Sequence, residues 1–152
     1  MEELTDMPDI DMTYLRKILL DLLVIPSVGG DCDEAMKMVA SEFADLGVTV
    51  TTTKKGALIG TIPGKDKKNH RVVTAHVDTL GAVVRRIKDT GRLSLLQIGG
   101  FAWSSVEGEN ILVRTMDGRE YSGVILPEKA SIHAFSEVVR ETLRTDDTIE
   151  VR

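Results

Sequence analysis

In the run RVVTAHVDTLGAVV, Arg71 to Val84, a histidine and an aspartate stand two residues apart among Val, Ala and Thr. Residues i and i+2 of an extended chain point to one face, so His76 and Asp78 are expected side by side. The two imidazole nitrogens can take separate roles. One can donate its proton to a carboxylate while the other presents a lone pair to a divalent cation. The carboxylate then fixes the tautomer, orients the ring and raises its basicity. The spacing fits His76 as a metal ligand and Asp78 as the carboxylate that orients it. It equally fits two polar residues at a strand end that only take hydrogen bonds from a neighbouring loop, and spacing alone leaves both readings open.

Other reactive side chains are weaker candidates. Cys32 lies in GGDCDEA beside acids that disfavour a thiolate, and as the only cysteine it has no disulfide partner within the chain. His70 falls in a lysine-rich turn and His133 in SIHAF, where a local hydrogen bond is the plainer expectation. Glu107 and Glu109 could pass for paired acids, but the intervening Gly108 suggests a turn. Phe101 and Trp103 sit in the glycine-rich stretch GGFAW, as a subunit contact or as a cap on a β-module, with the contact slightly favoured. Arg85, Arg86 and Lys88 read as a solvated basic strand face. Neither GxGxxG nor GxxxxGK[ST] is present.

The elements that must position the His-x-Asp pair follow from periodicity. Met12, Leu15, Ile18, Leu19, Leu22 and Leu23 recur at helical spacing, with Asp11 as N-cap and Pro26 barring continuation, so a helix is expected over about 12–24. A second helix, capped by Asp31 or Asp33, would turn Ala35, Met36, Val39, Ala40 and Phe43 inward and close at Leu46-Gly47. Strands are expected at 48–53 and 57–62, and at 71–77, whose near-continuous apolar run suits a central strand covered on both faces. Beyond Gly81, segments 83–89 and 92–98 read as one hairpin. Segments 111–116 and 119–126 read as another, with Asp117-Gly118 as a two-residue turn. Such a cluster of strands without helices suggests a small β-barrel or sandwich. The segment 131–145 allows a short helix or a loop, and TIEVR (148–152) alternates like a strand.

Composition narrows the function classes. The 152 residues are 42% hydrophobic and 28% charged, as in a globular protein. A net charge of −5 argues against nucleic acid and against an anionic membrane surface. The acidic start, MEELTDMPDIDM, lacks the pattern of a signal peptide. A cytoplasmic location is expected.

The stretch VVTAHVDTLGAVVRRIKDTGRLSLLQIGGF, with LPEKASIHAF, PSVGGDCDEAM and TKKGALIGTIPGK, resembles the M42 family of metallo-aminopeptidases, some of whose members carry glucanase or cellulase names. The resemblance covers the chain from about residue 12. It implies an α/β class: a partial α/β sandwich with an inserted small β-barrel domain. Residues 1–81 would be the N-terminal part of the catalytic domain, and 82–152 an inserted β-barrel-like dimerisation domain, incomplete at its C-terminal end. It implies two divalent metal ions, zinc or cobalt, in the complete enzyme, with His76 as a metal ligand and Asp78 as its orienting carboxylate. Peptides would be the substrates, and homo-oligomers would form through the β-module. The family's bridging aspartate, glutamate pair and last histidine follow the insertion and have no counterpart within 152 residues. A two-metal hydrolase needs a clamped water and a general base. This chain alone is therefore expected to bind no metal tightly and to be inactive. The alternatives are a non-catalytic module acting in subunit assembly and, further off, a glucan hydrolase.

Overall fold

The computed structural model describes residues 9–152. The chain divides into two compact units, Met1–Thr79 and Leu80–Arg152, each with its own architecture.

In the first unit, α1 spans Met12–Leu23. The Asp11 carboxylate caps it, accepting from the amides of Thr13 (2.9 Å) and Tyr14 (3.0 Å), two donors without partners inside the helix. The second helix, α2, covers Asp33–Asp45. Neither Asp31 nor Asp33 is its cap. Cys32 holds that position without a side-chain hydrogen bond, and Asp33 and Glu34 instead lie in the first turn, where the helix dipole favours negative charge. Of the expected inner face, Ala35 is fully buried and Met36, Val39, Ala40 and Phe43 are half-buried. After α2, Gly47 takes φ +70°, as the end of a helix favours. Strands β1 (Thr49–Thr52) and β2 (Leu58–Thr61) pair antiparallel, Thr49 opposite Thr61 and Thr52 opposite Leu58. The Phe43 ring lies over Gly60, where a Cβ would stand 3.2 Å from its Cε2.

The expected central strand at 71–77 is not formed. The segment joins neither sheet, and the nearest bridge, two residues beyond it, is a parallel contact between Val28 and Thr79. A central strand needs hydrogen-bonded neighbours on both sides, and among the described residues none flanks this run. Its apolar side chains are accordingly solvated, with Val73 95% exposed.

The second unit is a single antiparallel sheet with the strand order β3-β4-β7-β6-β5, forming a curled half-barrel. Here β3 is Gly81–Ile87, β4 Leu93–Ile98, β5 Asn110–Arg114, β6 Glu120–Pro127 and β7 Ile149–Val151. The two hairpins appear as expected, but the second turn differs. Thr115 pairs with Arg119 around a three-residue loop, and only Gly118 takes positive φ, at +82°. That is a turn closed by a glycine bulge, which tightens strand twist as a two-residue turn would. The segment 132–141 folds as two single-turn helices, α3 (Ile132–Phe135) and α4 (Val138–Glu141), separated by Ser136 at φ +51°.

The terminal strand β7 joins the hairpins. It pairs with β4 through Leu93 and Ser94 and with β6 through Ile125, Leu126 and Pro127. A strand paired on both edges and covered on both faces buries every residue, and Ile149, Glu150 and Val151 are each at most 3% exposed. Close pairing requires Gly123, because a Cβ there would meet Val151 Cγ1 at 2.5 Å. The core comprises Leu95, Trp103, Ile125, Ile149 and Val151. Trp103 therefore belongs to the core, not to a subunit contact. Its ring meets Phe101 edge-on at 5.2 Å, and its indole N–H donates to Asp146 at 2.7 Å.

Candidate functional site

The structure brings His76 and Asp78 together as their spacing requires. The imidazole Nδ1 lies 3.1 Å from Asp78 Oδ1 and 3.3 Å from the Asp78 carbonyl oxygen. Carboxylate and carbonyl oxygens can only accept, so Nδ1 is the donor in both contacts, and in the neutral ring the lone pair lies on Nε2. The imidazole side chain is 81% exposed, and Nε2 meets no hydrogen-bond partner among the described residues. The pair thus presents one oriented donor nitrogen to solvent, suited to a divalent cation or a proton.

What holds the pair is a residue that sequence patterns did not flag. Ser27, in the connection between α1 and α2, is 1% exposed. Its hydroxyl donates to the Val77 carbonyl at 2.7 Å, and its own carbonyl accepts from the Thr79 amide at 2.8 Å. These two bonds bracket Asp78. The turn that carries Ser27 is closed by the Asp31 amide on the Val28 carbonyl (2.7 Å) and by the Cys32 thiol, 3.4 Å from the same oxygen. The only sequence signal was Ser27 standing directly after Pro26, at the helix stop.

These residues do not complete a metal centre. Among the described residues, no three His, Cys, Asp or Glu side chains come close enough to share an ion. One imidazole with its orienting carboxylate falls short of the three or four protein ligands that zinc sites ordinarily have. The remaining candidates His133, Glu107 and Glu109 belong to the second unit. His133 lies exposed on α3. Glu107 is bound through both carboxylate oxygens to Arg144, at 2.7 and 3.3 Å.

The strongest electrostatic feature is in the second unit. The buried Glu150 carboxylate takes Lys88 at 2.9 Å, Arg92 at 2.7 Å and Arg152 at 2.9 Å, and Lys88 also binds Glu128. Burial alone would push the Glu150 carboxyl up. The hydrogen bonds from Lys88 and Arg152 outweigh it and hold the group below its ordinary range. For Lys88, burial works against the charge, and the hydrogen bonds to Glu128 and Glu150 more than restore it. Lys88 is thus no solvated member of a basic face. Lys88, Arg92 and Arg152 each give at least one N–H to the Glu150 carboxylate, so the cluster reads as structural.

No helix among the described residues is long and apolar enough to cross a membrane. The family model for M42 glutamyl aminopeptidase matches residues 56–151. YhfE of Bacillus subtilis (strain 168), which bears an aminopeptidase name, is 39% identical over 144 residues, covering 93% of this chain and 41% of its own length. The chain thus spans about two-fifths of that curated relative. The fold is similar to a TET aminopeptidase from the marine sediment archaeon Thaumarchaeota archaeon SCGC AB-539-E09 (TM-score 0.77, 18% identity, 93% of this chain and 38% of that one). It is also similar to PhTET1, solved as a dodecamer (TM-score 0.72, 20% identity, 94% of this chain and 39% of that one).

Proposed function

The chain belongs to the M42 glutamyl aminopeptidase family, and from that premise we propose that it forms part of a two-metal aminopeptidase that releases N-terminal residues from peptides. The carrying observation is the His76–Asp78 contact at 3.1 Å, which leaves Nε2 as an outward donor. In this reading residues 1–81 belong to an α/β sandwich catalytic domain, and 82–152 form an inserted β-barrel-like domain that pairs subunits. His76 supplies one ligand to a zinc or cobalt ion and Asp78 orients it. The other ligands and the general base lie outside the described residues, so the 152-residue chain is expected to bind these ions weakly and to be inactive alone. The homologous chain solved as a dodecamer supports a homo-oligomer. The acidic balance and the family relationship support a cytoplasmic protein acting on peptides, without nucleic-acid or membrane partners.

The test is expression of the complete open reading frame that contains this chain. We expect release of N-terminal residues from peptides that depends on added Co²⁺ or Zn²⁺, and a lower bound-metal content in His76→Ala by elemental analysis. Unchanged metal content in that variant would remove His76 from the site. Robust hydrolysis of aminoacyl substrates by the 152-residue chain would contradict the incomplete-site reading. A second reading, a non-catalytic assembly module, has one observation in its favour: the second unit contains a hydrophobic core of its own. A homogeneous metal-free dimer of the chain would favour it, and a monomer would count against it.

A further inference from the structure

We propose that Ser27 is a positioning residue for the His76–Asp78 pair, an inference that rests on the aminopeptidase reading for its catalytic meaning and on hydrogen-bond geometry for its structural content. The segment 71–77 has no strand partner among the described residues. Residues 77–79 are attached to the rest of the unit through Ser27 and Val28: Ser27 Oγ to the Val77 carbonyl, Thr79 N–H to the Ser27 carbonyl, and the Val28–Thr79 bridge. The two peptide groups gripped by Ser27 lie on either side of Asp78, so they set the backbone direction at the carboxylate and, through it, the imidazole.

The burial of Ser27 makes this attachment directional. At 1% exposure the hydroxyl has no water to turn to, and its bond to Val77 O is short at 2.7 Å. An unpaired buried donor or acceptor is costly, so a hydroxyl with one carbonyl in reach holds that geometry. An apolar residue of the same size would fill the space and leave the Val77 carbonyl unpaired. The Ser27 backbone carbonyl would remain as acceptor for Thr79, but with the side-chain grip gone that single bond would open more often and Asp78 would swing about it. Histidine ligands depend on the group that orients their second nitrogen. Here that dependence extends one step further back, to a serine about fifty positions earlier in the chain.

The experiment compares Ser27, Ser27→Ala, Ser27→Cys and Ser27→Thr in the 152-residue chain by ¹⁵N NMR at one fixed pH near neutrality. Two readouts are taken: the His76 ring tautomer and the exchange rate of the Thr79 amide. In Ser27→Ala we expect Thr79 exchange to rise at least tenfold and the preference for a proton on Nδ1 to fall. The α2 amides should keep their protection. Ser27→Thr, which retains the hydroxyl, is expected to restore the tautomer, and Ser27→Cys, a weaker donor of similar shape, to fall between. Unchanged tautomer and Thr79 exchange in a folded Ser27→Ala chain would overturn the proposal. If that variant loses α2 protection, Ser27→Cys decides, and wild-type values there overturn it equally. These readouts need neither metal nor substrate. An inactive complete protein with a perturbed Ser27→Ala would end the aminopeptidase reading and leave the clasp standing, and the reverse result would do the opposite.

Discussion

The second unit closes a core around Leu95, Trp103, Ile125, Ile149 and Val151, whereas among its described residues the first unit fully buries only Ala35 and Ser27. The first unit does not lack apolar side chains. Leu15, Leu19 and Leu23 of α1 and Val72 and Val73 are all exposed. The difference lies in connectivity. In the second unit β7 supplies a strand hydrogen-bonded on both sides, and every neighbour gains a covered face. In the first, the two-stranded β1–β2 sheet covers little, and an isolated two-stranded sheet is marginal in water. The unit that carries the His76–Asp78 pair is therefore the one that secures itself least.

The sharpest way to break this comparison is to remove the centre of the second unit. Ile149→Ala deletes a side chain that is 1% exposed and should cost about 3 kcal/mol. Glu150→Ala leaves Lys88, Arg92 and Arg152 facing one another without their shared anion and should cost about as much. The single tryptophan, Trp103, lies in this core, so its fluorescence reports unfolding of the second unit selectively. Urea denaturation followed at Trp103 should show both losses. A Glu150→Ala midpoint within error of the parent would mean that the cluster contributes nothing.

The same carboxylate gives a pH signature. Because the folded state holds Glu150 below its ordinary range, its contribution is complete above the unfolded value of about 4.3 and is lost as pH falls through the lowered folded value. Stability at Trp103 should fall on that acid limb, and Glu150→Gln should flatten the limb while lowering the neutral plateau. An equally steep acid limb in the variant would assign it to other carboxylates.

A smaller loss is expected at the contact between β6 and β7. Gly123→Ala would place a methyl 2.5 Å from Val151 Cγ1 and 3.0 Å from the Arg152 carbonyl, forcing the strands apart at a cost of about 1–3 kcal/mol. The backbone at 123 does not use positive φ, so the cost is steric, and Gly123→Ser should behave alike. A stable Gly123→Ala chain would show that β7 is seated less tightly than the second unit's burial implies.

Legibility followed the same division. Helix α1 and its Asp11 cap, the glycine end of α2 and both hairpins were readable because each is set by neighbours in sequence. So was the facing of His76 and Asp78, which needs only an extended backbone. The strand expected at 71–77 was wrong because apolar composition describes what a strand prefers to touch, not whether a partner is there. Trp103 looked like a contact residue because its burial depends on β7, some 45 positions later. Glu150 was invisible for a related reason. TIEVR alternates like a half-solvated strand, and only its placement between two hairpins buries the charged residue and draws in Lys88, Arg92 and Arg152. Ser27 could have been found only by asking which side chain might satisfy the carbonyl beside the pair.

The least effect is expected where the first unit is most self-sufficient, at the start of α1. Asp11→Ala removes the acceptor for the Thr13 and Tyr14 amides and should cost the helix about 1 kcal/mol. The Tyr14 hydroxyl donates to Glu42 on α2 at 2.9 Å, a bond that ties the first turn of one helix to the other. Fraying of α1 should therefore weaken α2 slightly but leave Trp103 fluorescence unchanged, because the core around Trp103 is formed by residues of the second unit. Hydrogen exchange distinguishes the outcomes, since local openings are resolved amide by amide. Faster exchange at Thr13 to Leu15, a lesser change in α2 and none at Val124 or Arg152 would mean that the units respond separately. If exchange rose equally at Val124, whose amide is bonded to the Arg152 carbonyl, the two units would be one cooperative body and the contrast between them would be only one of composition.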